Sequence, residues 1–262
     1  ADEGGDAIHW LENNGNANPT FTIRAAYGNS DGPWAVVPYD IDLDGDLDII
    51  SASHVDNKIR VNVNNGAADP DFDDTVYDVV SGVDARGLDL GDIDGDGDID
   101  VVGALGGDNK VVWYENNGSQ SFTARQVNVE TNPRSVFIAD LNSDGHLDIV
   151  AAYAGSDKVR WYKNDGAADP GFQNIDVSTS IDGAISVYAA DMDNDGDIDI
   201  LAAAQEEDKI YWFESDGAVT PNFSATTITS SADGIYSVYA KDLDNDGDMD
   251  IMSASANDDK IA

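Results

Sequence analysis

A nine-residue acidic segment returns five times along this chain, and its spacing restricts the fold more than any other feature. Asp40-Ile-Asp-Leu-Asp-Gly-Asp-Leu-Asp48 recurs as Asp92–Asp100, Asp140–Asp148, Asp191–Asp199 and Asp242–Asp250, with starts 52, 48, 51 and 51 residues apart. Self-similarity at a period near fifty residues marks an array of one supersecondary unit. A short apolar stretch precedes each copy, such as Ser135-Val-Phe-Ile-Ala139, and another follows it, such as Ile149-Val-Ala-Ala-Tyr153.

A second block follows at fixed distance. Lys58-Ile-Arg-Val-Asn-Val-Asn-Asn-Gly66 has relatives at Lys110–Gly118, Lys158–Gly166 and Lys209–Gly217. Its Asn-Gly or Asp-Gly tail is hairpin-turn chemistry, because those residues tolerate positive φ. A third block carries Phe72, Phe122, Phe172 or Phe223 amid alternating apolar residues. Each repeat therefore offers four strands: strand 1, Asp loop, strand 2, a connecting loop, strand 3, Asn-Gly turn, strand 4. Leu201-Ala-Ala-Ala-Gln-Glu-Glu207 has helix-forming residues, but its register with Ile50-Ser-Ala-Ser53 makes it strand and loop.

Four-stranded sheets repeated radially make a β-propeller. The expected fold is all-β, a five-bladed β-propeller of four-stranded antiparallel blades forming one domain over residues 1–262. A half-blade spans 1–33, repeats start near 34, 86, 134 and 185, and a closing half-blade spans 236–262. The N-terminal half-blade reads as strands 3 and 4, the C-terminal one as strands 1 and 2. Joining them would complete the last blade and remove two exposed sheet edges.

The Asp loops follow D-x-[DN]-x-D-G-x-x-D. Calcium takes six to eight oxygens in flexible geometry, and alternate Asp side chains can converge on one ion while Gly at position 6 turns the chain. The expected side-chain ligands are Asp40, Asp42, Asp44, Asp48; Asp92, Asp94, Asp96, Asp100; Asp140, Asn142, Asp144, Asp148; Asp191, Asp193, Asp195, Asp199; and Asp242, Asp244, Asp246, Asp250. Position 7 (Asp46, Asp98, His146, Asp197, Asp248) is expected to give its backbone carbonyl, since His replaces Asp in the third copy. Position 8 is always apolar (Leu47, Ile99, Leu147, Ile198, Met249) and reads as an anchor into the core. EF-hands are excluded, because position 12 is Ser, Gly or Ala and the flanks are strands. Clustered carboxylates at this density repel one another without a cation. Mg²⁺ favours octahedral, water-rich sites, and the Cys and His ligands of Zn²⁺ are missing, so about five Ca²⁺ are expected.

In these residues the chain resembles the FG-GAP/VCBS repeat family, the integrin-α-type propellers. The resemblance covers nearly the whole chain and implies calcium in the loop between strands 1 and 2, on one face of the disc. It further implies ligand binding mostly on the other face, and secretion or cell-surface display. Many propellers of that family have seven blades, whereas this sequence supplies five.

On the face opposite calcium the copies diverge. Six residues before each Asp loop stand Trp34, Arg86, Arg134, Ile185 and Tyr236, which are expected to ring the channel mouth. His54, Tyr153, Gln205 and Glu206 are expected nearby on the loops between strands 2 and 3. Aromatics beside arginines can stack on sugars or clamp a carboxylate. Trp10, Trp113, Trp161 and Trp212 share one repeat position with Val61 and read as packing between blades rather than a lectin-like aromatic ring. Lys58, Lys110, Lys158, Lys209 and Lys260 read as structural contacts to nearby carboxylates.

The formal net charge of −39 argues against nucleic acid and anionic membranes as partners. There is no cysteine to form a disulfide and no apolar run long enough to insert in a membrane. The opening Ala1-Asp2-Glu3-Gly4-Gly5 has no leader character, so a secretion signal is expected to be already removed or never present. With no catalytic cluster in view, the expectation is an extracellular, non-catalytic binding or adhesion module for a protein or glycan ligand, not an enzyme. Two alternatives stand beside it. One is a structural subunit of a surface fibre or matrix, built head to tail by completing blades between chains. The other is a carbohydrate-active propeller, lectin or polysaccharide lyase, with a base near Arg86 and Arg134 and with His54 or Tyr236 available.

Overall fold

The computed structural model describes residues 6–27, 30–67, 69–72, 75–81 and 84–262; Ala1–Gly5, read above for a leader, lie outside the described residues. The chain is all-β, with no helix among the described residues. It is a five-bladed β-propeller.

Four blades are complete antiparallel meanders. Blade one is β3 (Pro33–Tyr39), β4 (Asp48–Ser53), β5 (Lys58–Asn62) and β6 (Val76–Ser81); blade two is β7 (Ala85–Gly91), β8 (Asp100–Leu105), β9 (Lys110–Asn116) and β10 (Phe122–Val129). Blade three is β11 (Pro133–Ala139), β12 (Asp148–Tyr153), β13 (Lys158–Asn164) and β14 (Phe172–Ser178); blade four is β15 (Ala184–Ala190), β16 (Asp199–Ala204), β17 (Lys209–Ser215) and β18 (Phe223–Thr229). The fifth position takes strands from both ends: β19 (Ile235–Lys241), β20 (Asp250–Ser255) and β21 (Lys260–Ile261) from one, β1 (Ile8–Asn13) and β2 (Phe21–Tyr27) from the other.

At that fifth position the hydrogen bonding has a seam. β20 pairs with β21, through Ala254↔Ile261 and Ser255↔Lys260, while β1 pairs with β2. The sequence explains why. Asp259-Lys-Ile and Asp6-Ala-Ile both match the start of strand 3 in the repeat register, and the edge of β20 that a strand 3 takes is held by β21. The inner strands of the first and last blades meet at the top, where the Trp34 and Tyr236 ring centroids lie 6.1 Å apart. Lower down, Leu47 is 59% exposed, so it does not act as the anchor expected of position 8, whereas Ile99 is buried.

The core lies between blades rather than at one centre. Strand 2 of each complete blade is buried along its whole length, because both faces meet a neighbouring blade. Such a strand reads as a continuous apolar or small-residue run, like Ile-Leu-Ala-Ala-Ala in β16, instead of alternating. Strand 4 on the rim has no fully buried residue in β10 or β14 and mixes exposed with half-buried positions. The tryptophans fill the wedges as expected. Trp113 sits edge-on to Phe172 and Trp161 to Phe223, each pair spanning two blades at 6.3 Å. Trp10 packs beside Phe72, which seats the β1–β2 hairpin on blade one.

Candidate metal loops and channel mouth

Each Asp loop is a sharp turn from strand 1 to strand 2 with a fixed backbone. Position 4 is left-handed in all five copies, at Leu43, Gly95, Ser143, Asn194 and Asn245, with φ between 55° and 75°. Position 6 is glycine with φ of 89° to 99°, a region L side chains avoid. The first carboxylate closes the turn: Asp40 accepts from the N–H groups of Asp44 and Gly45, both at 3.0 Å, and Asp191 accepts from Asp195 and Gly196 in the same way.

Position 9 ties the loop to the blade. In blades one to four the side chains of Asp48, Asp100, Asp148 and Asp199 are almost wholly buried. One oxygen of each accepts the N–H of position 2 (Ile41, Ile93, Leu141, Met192), and the other accepts an N–H of the Asn-Gly turn (Asn64, Asn116, Asn164, Ser215) at 2.8 Å. Burial raises the carboxyls of Asp48 and Asp148 to about 6 and that of Asp100 to about 7, against the lowering effect of those N–H groups. This clamp also fixes topology, since it holds the Asn-Gly turn and the Asp loop at one end of the blade. Position 7 faces that turn: a Cβ on Gly66 would fall 2.7 Å from Asp46 Oδ2.

Carboxylates within four of the loops also converge. One oxygen from each of Asp40, Asp42 and Asp48 lies within 4.8 Å of the others, and the same holds for Asp92, Asp94 and Asp96, for Asp191, Asp193 and Asp195, and for Asp242, Asp244 and Asp246. In the first two loops an oxygen is left over. Asp42 Oδ1 and Asp92 Oδ1 are buried without a hydrogen-bond partner. A buried, unpartnered carboxylate oxygen beside other carboxylates is expensive unless a cation meets it. Burial and the neighbouring carboxylates push Asp42 and Asp94 above the usual aspartate range. The oxygen-rich set fits a hard divalent cation.

The third loop differs. Asn142 donates to Asp144 and to the carbonyl of Val219, so this loop has lost a charge and its amide is engaged. Lys163 Nζ donates to Asp144 Oδ2 at 2.7 Å. Against burial, that bond holds the Asp144 carboxyl below its ordinary value. An ammonium group thus stands at the place where the other loops bring carboxylates alone. The signal was present in the sequence, since the register of Lys163 is Glu12, Glu115 and Glu214 in other copies.

The other end of strand 1 is the channel mouth. Trp34, Arg86, Arg134, Ile185 and Tyr236 line one cavity of about 220 Å³, as the repeat register predicts. Strand 1 places them roughly 20 Å from the Asp loops, at about 3.3 Å per residue. In every blade the pairing of strands 1 and 2 shifts register at this residue: between Pro33 and Ala35, Ala85 and Gly87, Pro133 and Ser135, Ala184 and Ser186, Ile235 and Ser237. A bulge leaves one residue unpaired and re-aims its side chain. Five bulges therefore turn five unlike side chains into one opening. The divergence of these residues is visible in the sequence; the bulges, a property of pairing, are not.

His54 stands edge-on to Trp34 at 5.5 Å and shares a 2.9 Å hydrogen bond with the Gly32 carbonyl. Tyr153 is a correction. It is fully buried and hydrogen-bonded to Tyr162, so it is no part of the exposed mouth. It ends strand β12, whose faces are both covered, and its ring fills the wedge between blades two and three. Four of the repeated lysines make the expected carboxylate contacts: Lys58 with Asp78, Lys158 with Glu130, Lys209 with Glu207 and Lys260 with Asp258.

Acidic loops clustered on one rim and a variable mouth on the other define a repeat propeller of the Asp-loop class. The chain belongs to the FG-GAP-like repeat family, whose model matches residues 1–51, 40–103, 92–151, 140–202 and 191–253. No curated protein matches it. Among solved structures it is similar to an Agrocybe aegerita lectin described as recognising non-reducing terminal N-acetylglucosamine, with 21% identity over 96% of this chain and 69% of that one and a TM-score of 0.64. It is similar also to a streptogramin B lyase (16% identity, 97% of this chain, 72% of that one, TM-score 0.54). A functionally unknown protein from Desulfotomaculum acetoxidans aligns over 100% of this chain and 76% of its own at 10% identity, TM-score 0.65. At these identities the likeness concerns the fold alone.

Proposed function

We propose that this chain is a calcium-stabilised, non-catalytic binding module that works outside the cell and presents its channel mouth to a protein or glycan. The observation that carries the reading is the convergence of Asp triads in four of the five loops, with buried oxygens left unpartnered. Their side chains are the ligands, and position 7, whose side chain is turned to the Asn-Gly turn, adds a carbonyl. Loops on an open rim bind calcium weakly, in the range that suits extracellular calcium. The lectin fold neighbour favours a glycan ligand. Metal analysis of protein at dialysis equilibrium with millimolar calcium, with the dialysate's calcium subtracted, is the test. About four equivalents are expected, one for each Asp triad. Fewer than one equivalent would overturn the reading.

A further inference from the structure

Of the six arginines, five are ion-paired: Arg24 with Glu12, Arg60 with Asp56, Arg86 with Asp84, Arg125 with Glu115 and Arg160 with Asp176. Among the described residues Arg134 has no such partner, and its Nε is buried without a hydrogen bond. In a chain with 52 acidic residues, an unanswered guanidinium is the exception that asks for an explanation. It lies in the channel-mouth cavity, on the bulge of β11.

The groups around it decide what fits. Arg86 Nε holds Asp84 at 2.6 Å, and its Cζ lies 4.7 Å over the Trp34 ring, so its charge is answered locally. Burial and then Arg86 lower the Arg134 guanidinium from the usual arginine range, while Asp84 and Tyr236 act the other way. The mouth therefore carries about one net positive charge and matches a monoanion. Two hydroxyls add donors. Ser135 Oγ and Ser186 Oγ accept the N–H of Val187 and Val238 from the next blade, at 3.3 and 3.2 Å, which leaves each O–H free to donate. Trp34 and Tyr236 supply apolar walls, and the volume suits one six-membered ring.

We propose that the channel mouth binds a carboxylated sugar ring, with Arg134 forking the carboxylate, Ser135 and Ser186 donating to ring oxygens, and Trp34 and Tyr236 against the ring face. This deepens the binding-module reading and rests on it. The test is titration of the calcium-loaded full chain with glucuronic acid, glucose and acetate, followed by amide NMR shifts. Glucuronate is expected to bind at the mouth, with glucose and acetate each at least about tenfold weaker. Arg134→Gln should weaken glucuronate by about tenfold or more at unchanged calcium stoichiometry. Tyr236→Ala, at an exposed position, should weaken glucuronate and leave acetate unchanged. No glucuronate binding, or equal binding by Arg134→Gln, overturns the proposal, and equal affinity for acetate overturns the ring. Loss of the calcium equivalents would instead sink the module reading, so the two failures are distinct.

Discussion

Leu43 occupies the left-handed position of the first Asp loop, with φ of 58°, where other copies use Gly95, Asn194 or Asn245. A branched aliphatic side chain there costs roughly 1–2 kcal/mol of backbone strain, which Asn relieves by local hydrogen bonding. Leu43 is 57% exposed, so its replacement gives up little burial. Leu43→Asn is expected to stabilise the fold by about 1 kcal/mol, read from the urea midpoint in calcium. Asp89 presents the opposite case, a partly buried charge. Its carboxylate accepts the N–H of Ile138 at 2.7 Å and of Leu90 at 3.0 Å, yet burial raises its carboxyl to about 6. Nearby, burial and Tyr239 push Tyr188 to about 12, with a smaller push from Asp89 itself. A raised folded-state value means that the protonated form favours folding. The contribution of Asp89 is thus fully present below about 4 and lost as pH rises through about 6. A carbon-detected NMR titration should find the Asp89 midpoint near 6; a midpoint near 4 would show the site to be wet. At this scale the sequence announced the Asp loops, because each ligand position repeats. It did not announce Tyr153, whose burial depends on a neighbouring blade.

Strands and loops were legible where five copies could be compared, and obscure where one copy departs from the rest. The four strands per repeat follow from turn residues and apolar runs, and the order of every complete blade agrees. The bulges at the channel mouth left no sequence signal, since any residue type can stand unpaired, and the five that do are Trp34, Arg86, Arg134, Ile185 and Tyr236. The third Asp loop shows the cost of reading by consensus. Its pattern matches the others, but Lys163 reaches Asp144 and supplies a positive charge from within the chain. A bound divalent ion would have to displace that ammonium or share the loop with it. Calorimetric titration of Lys163→Gln is therefore expected to show one calcium equivalent more than the parent. An unchanged stoichiometry would mean that Asn142 and His146 already disable the third loop.

Over the whole molecule the repeat dictates a ring, but the seam in the fifth blade was hidden because strand 3 begins at both ends of the chain. At this scale net charge works against the fold. A net −39 on 262 residues favours expansion of the chain, and the repulsion is strongest where carboxylates converge on one rim. Two agents can relieve it, and they act differently. Dissolved salt screens all charges over a Debye length of about 10 Å at 0.1 M and about 3 Å at 1 M. On the proposed reading calcium would act at the loops alone, binding the folded state and stabilising it by about 2.7 kcal/mol per site at a hundred times its Kd. Loop convergence exists only in the folded chain, so chelation of ions held there would remove stabilisation that the unfolded state never had. Thermal melts should therefore fall by ten degrees or more on adding EDTA, on the order of several kcal/mol for a domain of this size. Sodium chloride near 1 M should restore only part of the loss, because it weakens repulsion everywhere without bridging the triads. Millimolar calcium should restore all of it. If salt alone returned the full melting temperature, diffuse repulsion and not site binding would be what calcium corrects.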